Sequence, residues 1–151
     1  MRALRPTCRV GDGELEIRTQ NAEFHGARTL LRSWLLGHAK HLLTPWLLRE
    51  GKAIGRGPAA VQIRLQRTRW GSCSSSGSIS LNASLLFVAP PLVRYLLVHE
   101  LCHLFSMNHS RRFWSAVAQF EPDYRALDRK LTGAWALIPL WAQTRESPPP
   151  R

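Results

Sequence analysis

Hydrophobic positions along the chain change period three times. From Phe24 to Glu50 the apolar residues Leu30, Leu31, Trp34, Leu35, Ala39, Leu42 and Leu43 recur at helical spacing, which predicts a long helix with one buried face. Thr44 and Pro45 lie inside this stretch and would equally serve as cap and first position of a second short helix. After a Gly-rich loop, Val61, Ile63 and Leu65 alternate with Gln62, Arg64 and Gln66, the period of a half-buried strand. Ile79 and Leu81 alternate with Ser80 and Asn82 beyond a Ser-rich turn, so these two strands are expected to form a hairpin. An apolar helix is expected from Leu92 to Phe105, following Pro90-Pro91. Ser110 can cap a further helix carrying Phe113, Trp114, Val117 and Phe120, and Pro122 suits the first position of a last helix ending near Leu131. Before Phe24 the periodicity is weak, with a Gly-Asp-Gly turn at 11–13 and a short strand at Leu15–Ile17. The expected organisation is an N-terminal extension over 1–23, partly ordered, one domain over 24–135, and a tail over 136–151 whose end is disordered.

Composition narrows the class. A chain of 151 residues with 44% hydrophobic side chains can bury a core, which excludes wholesale disorder. No apolar run reaches the ~18–20 residues of a membrane span. The start, MRALRPTCRV, has no apolar segment of the secretory kind, and three cysteines (Cys8, Cys73, Cys102) do not make a disulfide framework. A reducing cytoplasmic setting, with no membrane partner, is the resulting expectation. The formal charge of +11 leaves a polyanion, nucleotide or DNA, as a candidate partner.

The apolar helix contains His99-Glu100-Leu101-Cys102-His103. Two His four residues apart leave a helix on one side, one turn apart, so both imidazoles can reach one ion. Leu97, Leu101, Leu104 and Phe105 fall on the opposite face, so the helix can bury one side and present the His pair to a cleft. Glu100 is placed to accept a proton from a metal-bound water rather than to bind the metal. A catalytic zinc typically takes three protein groups, and His109, six residues after His103, is the third candidate. The spacing equals that of the metzincin signature, with Ser106 where that signature has Gly. Cys102 reads as a small packed residue, and His38 and His41 as surface or packing residues rather than a second metal pair.

Several separate motifs then fall in one order: Arg69-Trp70-Gly71-Ser72-Cys73, Ile79-Ser80-Leu81-Asn82, Pro90-Pro91, Val98 to His103, Met107-Asn108-His109-Ser110 and Phe113-Trp114. Over about residues 28–131 the chain resembles the YgjP-like metallopeptidase domain, a family similar in turn to the SprT-like peptidases. The resemblance implies an α+β, minimal zincin-like fold: an N-terminal helix, a small antiparallel or mixed sheet with a hairpin, the active-site helix and C-terminal helices. It implies one zinc at His99, His103 and His109, with Glu100 as general base and acid. It also implies that the Arg69–Cys73 stretch or the Ile79–Asn82 strand holds substrate as an added strand. Relatives often have Asp before the Tyr of the active helix, where this chain has Arg94.

The expected function is that of a zinc-dependent metallopeptidase acting on a peptide or protein. Arg69, Trp70, Tyr95, Asn108 and Arg112 are candidate substrate contacts, with hairpin packing as the other role for Trp70. Two alternatives keep the metal: a nucleoside triphosphate phosphohydrolase, and a DNA-associated SprT-like protease. A purely structural zinc would need a fourth ligand, for which Cys73 could approach from the hairpin.

Overall fold

The computed structural model describes residues 7–11, 14–18 and 24–143. Two short strands, β1 (Thr7–Gly11) and β2 (Glu14–Arg18), pair antiparallel, adding a partner strand to the one expected near Leu15. The anticipated disordered end at 147–151 lies outside the described residues.

Helix α1 spans Phe24–Ile54 without interruption. Leu35, Ala39, Leu43 and Leu47, spaced by one turn, are its fully buried stripe. The helix runs straight through Pro45, so no second helix begins there. Proline deprives the His41 carbonyl of its helical donor, but both residues face solvent and water can replace the bond.

The expected hairpin is corrected by the sheet. Strands β3 (Ala60–Arg64) and β5 (Ser78–Asn82) are neighbours but parallel, and β5's antiparallel partner is the three-residue β4 (Gly71–Cys73). The order β3-β5-β4 makes β5 the central strand, so Ile79–Asn82 has no free edge for substrate. β4 escapes sequence reading because Gly-Ser-Cys is too short and too small to show alternation. Its turn into β5 closes through Gly77 N–H to the Ser74 carbonyl (2.9 Å), with Gly77 at φ +83°.

Helix α2 spans Pro90–Cys102, starting two residues earlier and ending three residues earlier than expected, and a tight turn follows it. Leu97 and Leu101 are fully buried as expected, whereas Phe105 lies past the helix end and is 37% exposed. Arg94 pairs with Glu121 and lies 3.4 Å from Glu50. Helix α3 (Arg111–Phe120) starts at Ser110, whose hydroxyl accepts from the Phe113 N–H. Helix α4 (Tyr124–Gly133) begins two residues later than Pro122 suggested, with Asp123 at its cap position. Two short 3₁₀ turns follow, burying Ile138 and Ala142, and Arg28 of α1 donates to the Gln143 carbonyl (2.6 Å). The core lies between α1, the sheet and α2, with Phe113 and Val117 closing it from α3. No helix among the described residues is long and apolar enough to cross a membrane.

Candidate active site

Three imidazoles converge at the C-terminal end of α2. One ligand atom from each of His99, His103 and His109 lies within 4.8 Å of the others. His99 lies in the last turn of α2 and His103 caps its C-terminus, one turn further on, and the turn that follows brings His109 back so that its Nε2 is 3.2 Å from His99 Nε2. Nitrogens sharing one zinc at 2.0–2.1 Å in tetrahedral geometry are spaced ~3.3 Å apart, so the set fits a single ion. Cys73 and Glu100 are outside this group, which leaves the three imidazoles as its members among the described residues. His38 and His41 are exposed, and His38 stacks on Trp34.

The surroundings hold these rings in place. Phe113, fully buried, is an apolar floor under all three, with ring centroids 5.0, 4.4 and 4.8 Å from His99, His103 and His109. Trp114 stacks on His109 from the outside and is itself stacked on Tyr124. His103 Nδ1 lies 3.2 Å from the Ser106 carbonyl. A carbonyl can only accept, so Nδ1 carries the proton and Nε2 keeps its lone pair. Ser106 also donates to Asn108 Oδ1 (3.1 Å), which closes the turn that presents His109. Asn108 thus shapes the ligand loop.

Burial sets the charge states. His99 is pushed down to about 4, by burial first and then by the neighbouring His103 and His109, with Asp128 opposing. His103 is lowered too, chiefly by burial. Neutral imidazoles with free lone pairs are what a cation needs. Glu100, 4% exposed, is pushed up to about 8 by burial, against the pull of Arg69. Cys102 is wholly buried in the core and its thiol is pushed up to about 11, in keeping with a packing role.

The sequence around β4 is shaped to admit Glu100. A Cβ on Gly71 would lie 3.0 Å from both Glu100 Cγ and Oε1. Asn82, absent from the sequence-derived site, organises the loop before β4. Its Nδ2 donates to the Gln66 and Arg69 carbonyls (3.0 Å each), its Oδ1 accepts from Ser84 N–H, and its own N–H donates to the Trp70 carbonyl. Its polar position in the strand was visible; its role needed the fold.

The candidate substrate contacts separate. Arg69 lines a cavity of about 340 Å³ together with Tyr95, His99 and Glu100. Trp70 is 6% exposed, stacked on Trp135 (4.1 Å), and donates from Nε1 to the Leu131 carbonyl, so it is a packed wall of that cavity. Tyr95 is 1% exposed and stands behind His99, with its hydroxyl on Asp128. Arg112 is exposed on α3 and is not part of this cavity's wall. A second cavity, about 350 Å³, opens on the far side of His103 between the Ser74–Gly77 turn, Arg56, Phe105 and Met107.

The family model of the YgjP-like metallopeptidase domain matches residues 6–134. Among solved structures, the metallopeptidase zymogen of Pyrococcus abyssi abylysin is similar at 27% identity and a TM-score of 0.49, over 68% of this chain and 94% of that one. The metallopeptidase zymogen of Methanocaldococcus jannaschii jannalysin is similar at 18% identity and a TM-score of 0.51, over 59% of this chain and 93% of that one, which shows a common fold. No curated protein matches the chain.

Proposed function

Because the chain belongs to the YgjP-like metallopeptidase domain family, and so is a metal-dependent peptidase, we propose that His99, His103 and His109 hold zinc and Glu100 moves the proton. The observation that carries this reading is the set of three imidazole nitrogens within 4.8 Å of one another. Three neutral nitrogen donors suit zinc better than magnesium or calcium, which prefer oxygen ligands. The bound ion supplies Lewis-acid polarisation of the substrate carbonyl and acidifies water.

The chain's own residues do the rest. The edge of β4 away from β5 runs beside the site and can take an extended peptide as an added strand, with the cavities on either side of the imidazoles receiving its side chains. Glu100 accepts a proton from the attacking water as the oxygen–carbon bond forms. It returns that proton to the amide nitrogen as the carbon–nitrogen bond breaks. Its buried position keeps the carboxyl ready to take a proton, and Arg69 moderates that tendency. Asn82 and Gly71 keep Arg69 and β4 where this requires.

Glu100→Gln separates binding from chemistry. Zinc content should be unchanged, and hydrolysis of a casein-type substrate should fall ~100- to 10,000-fold, the usual contribution of a general base. Undiminished turnover in that variant would remove Glu100 from the mechanism.

A further inference from the structure

Asp128 belongs to neither the sequence-derived site nor the three-imidazole set, yet it is joined to both. It sits on α4, and its Oδ1 is 2.8 Å from the Tyr95 hydroxyl. That hydroxyl is also 3.3 Å from His99 Nδ1, one helical turn along α2. Tyr95 is among the largest fully buried side chains, and its ring meets His99 edge-on at 5.9 Å. Burial of Tyr95 calls for an acceptor for its hydroxyl, which Asp128 supplies; the second contact of that hydroxyl, to His99, is what requires its own explanation.

Counting protons gives the direction of each bond. A carboxylate only accepts, so the Tyr95 O–H donates to Asp128. That uses the hydroxyl's single proton, and only its lone pairs remain for His99. His99 Nδ1 must then be the donor, which leaves Nε2 unprotonated and aimed at His109 Nε2, 3.2 Å away. His103 reaches the same tautomer through the Ser106 carbonyl. His99 reaches it through the Tyr95 hydroxyl on its own helix, and that hydroxyl in turn reaches across to Asp128 on α4.

We propose that Tyr95 and Asp128 act as a two-residue positioning relay from α4, which locks His99 in its Nδ1–H tautomer and turns its Nε2 lone pair toward the metal site before any ion arrives. This rests on the zinc reading above for its purpose, though not for its geometry. Outer partners of this kind typically change metal affinity ~10- to 100-fold when removed. The relay also explains why α4 belongs to the working unit: it supplies the acceptor at the end of the chain.

The test uses Tyr95→Phe, Asp128→Ala and Asp128→Asn in the full chain. Nitrogen-15 NMR of the metal-free protein reads the His99 tautomer, and chelator competition reads zinc affinity. Wild type should show protonated Nδ1. Tyr95→Phe, nearly isosteric, should give mixed tautomers and ~10- to 100-fold weaker zinc binding at an unchanged metal-free melting temperature. Asp128→Ala should weaken binding in the same direction. Asp128→Asn should recover most of that loss, because the amide oxygen still accepts from Tyr95. Wild-type tautomer and affinity in both Tyr95→Phe and Asp128→Ala would overturn the relay, as would a protonated Nε2 in wild type. If Tyr95→Phe fails to fold, Asp128→Ala, at an exposed position, decides alone. Should wild type bind no zinc while the tautomer still responds to these substitutions, the zinc reading fails and the relay stands.

Discussion

Replacing Glu100 by Gln removes a carboxyl that burial holds at about 8 in the metal-free protein. With that value, roughly 90% of Glu100 carries a proton at pH 7. An opposite charge within ~4–6 Å lowers a carboxyl pKa by ~1–3, and a divalent ion supplies two such charges. The ion therefore pulls this carboxyl back down, so zinc binding should expel most of that proton at pH 7. The histidines contribute equally in wild type and variant, and His99 at about 4 is already unprotonated. The difference in proton release between wild type and Glu100→Gln should therefore approach at most ~0.9 at pH 7, ~0.5 at pH 8 and ~0.1 at pH 9. Titration calorimetry with zinc in buffers of different ionisation enthalpy measures it directly. The sign follows: wild-type zinc affinity should climb more steeply with pH below 8 than that of the variant. Equal proton release in the two proteins at pH 7 would refute the claim that burial keeps Glu100 protonated until the ion arrives.

Gly71→Ala forces a methyl to within 3.0 Å of the Glu100 carboxyl. It should cost ~1–3 kcal/mol in urea unfolding and reduce kcat at least tenfold with zinc content unchanged. Asn82→Ala removes the donor to two part-buried carbonyls, those of Gln66 and Arg69, and the acceptor of the buried Ser84 N–H; destabilisation of ~2–4 kcal/mol is expected, with slower turnover as the Arg69 loop loosens. Melting curves and a casein-type assay check both.

The three-imidazole cluster was readable before the fold because its signal is local. His99, Glu100 and His103 need only helical spacing, and His109 only a break before it, which the Ser106–Asn108 turn provides. The α1 stripe was readable for the same reason. What escaped was long-range. Nothing in Val61–Leu65 and Ile79–Asn82 tells a parallel pair from a hairpin once a three-residue strand slips to the far edge. Tyr95 stands among the candidate substrate contacts in the sequence; only α4 reveals that its hydroxyl donates to Asp128. Trp70 was equally open to packing or binding until Trp135, from beyond the last predicted helix, stacked on it. Asp128 itself carries no local signal, being an acid on an otherwise basic helix.

Zinc-edge X-ray absorption on the reconstituted protein tests the central claim most directly. Three imidazole nitrogens at ~2.0–2.1 Å with a light oxygen-type scatterer completing the shell are expected, and His109→Ala should lose one of the three. A sulfur scatterer at ~2.3 Å, or a spectrum unchanged by His109→Ala, would contradict the three-histidine site.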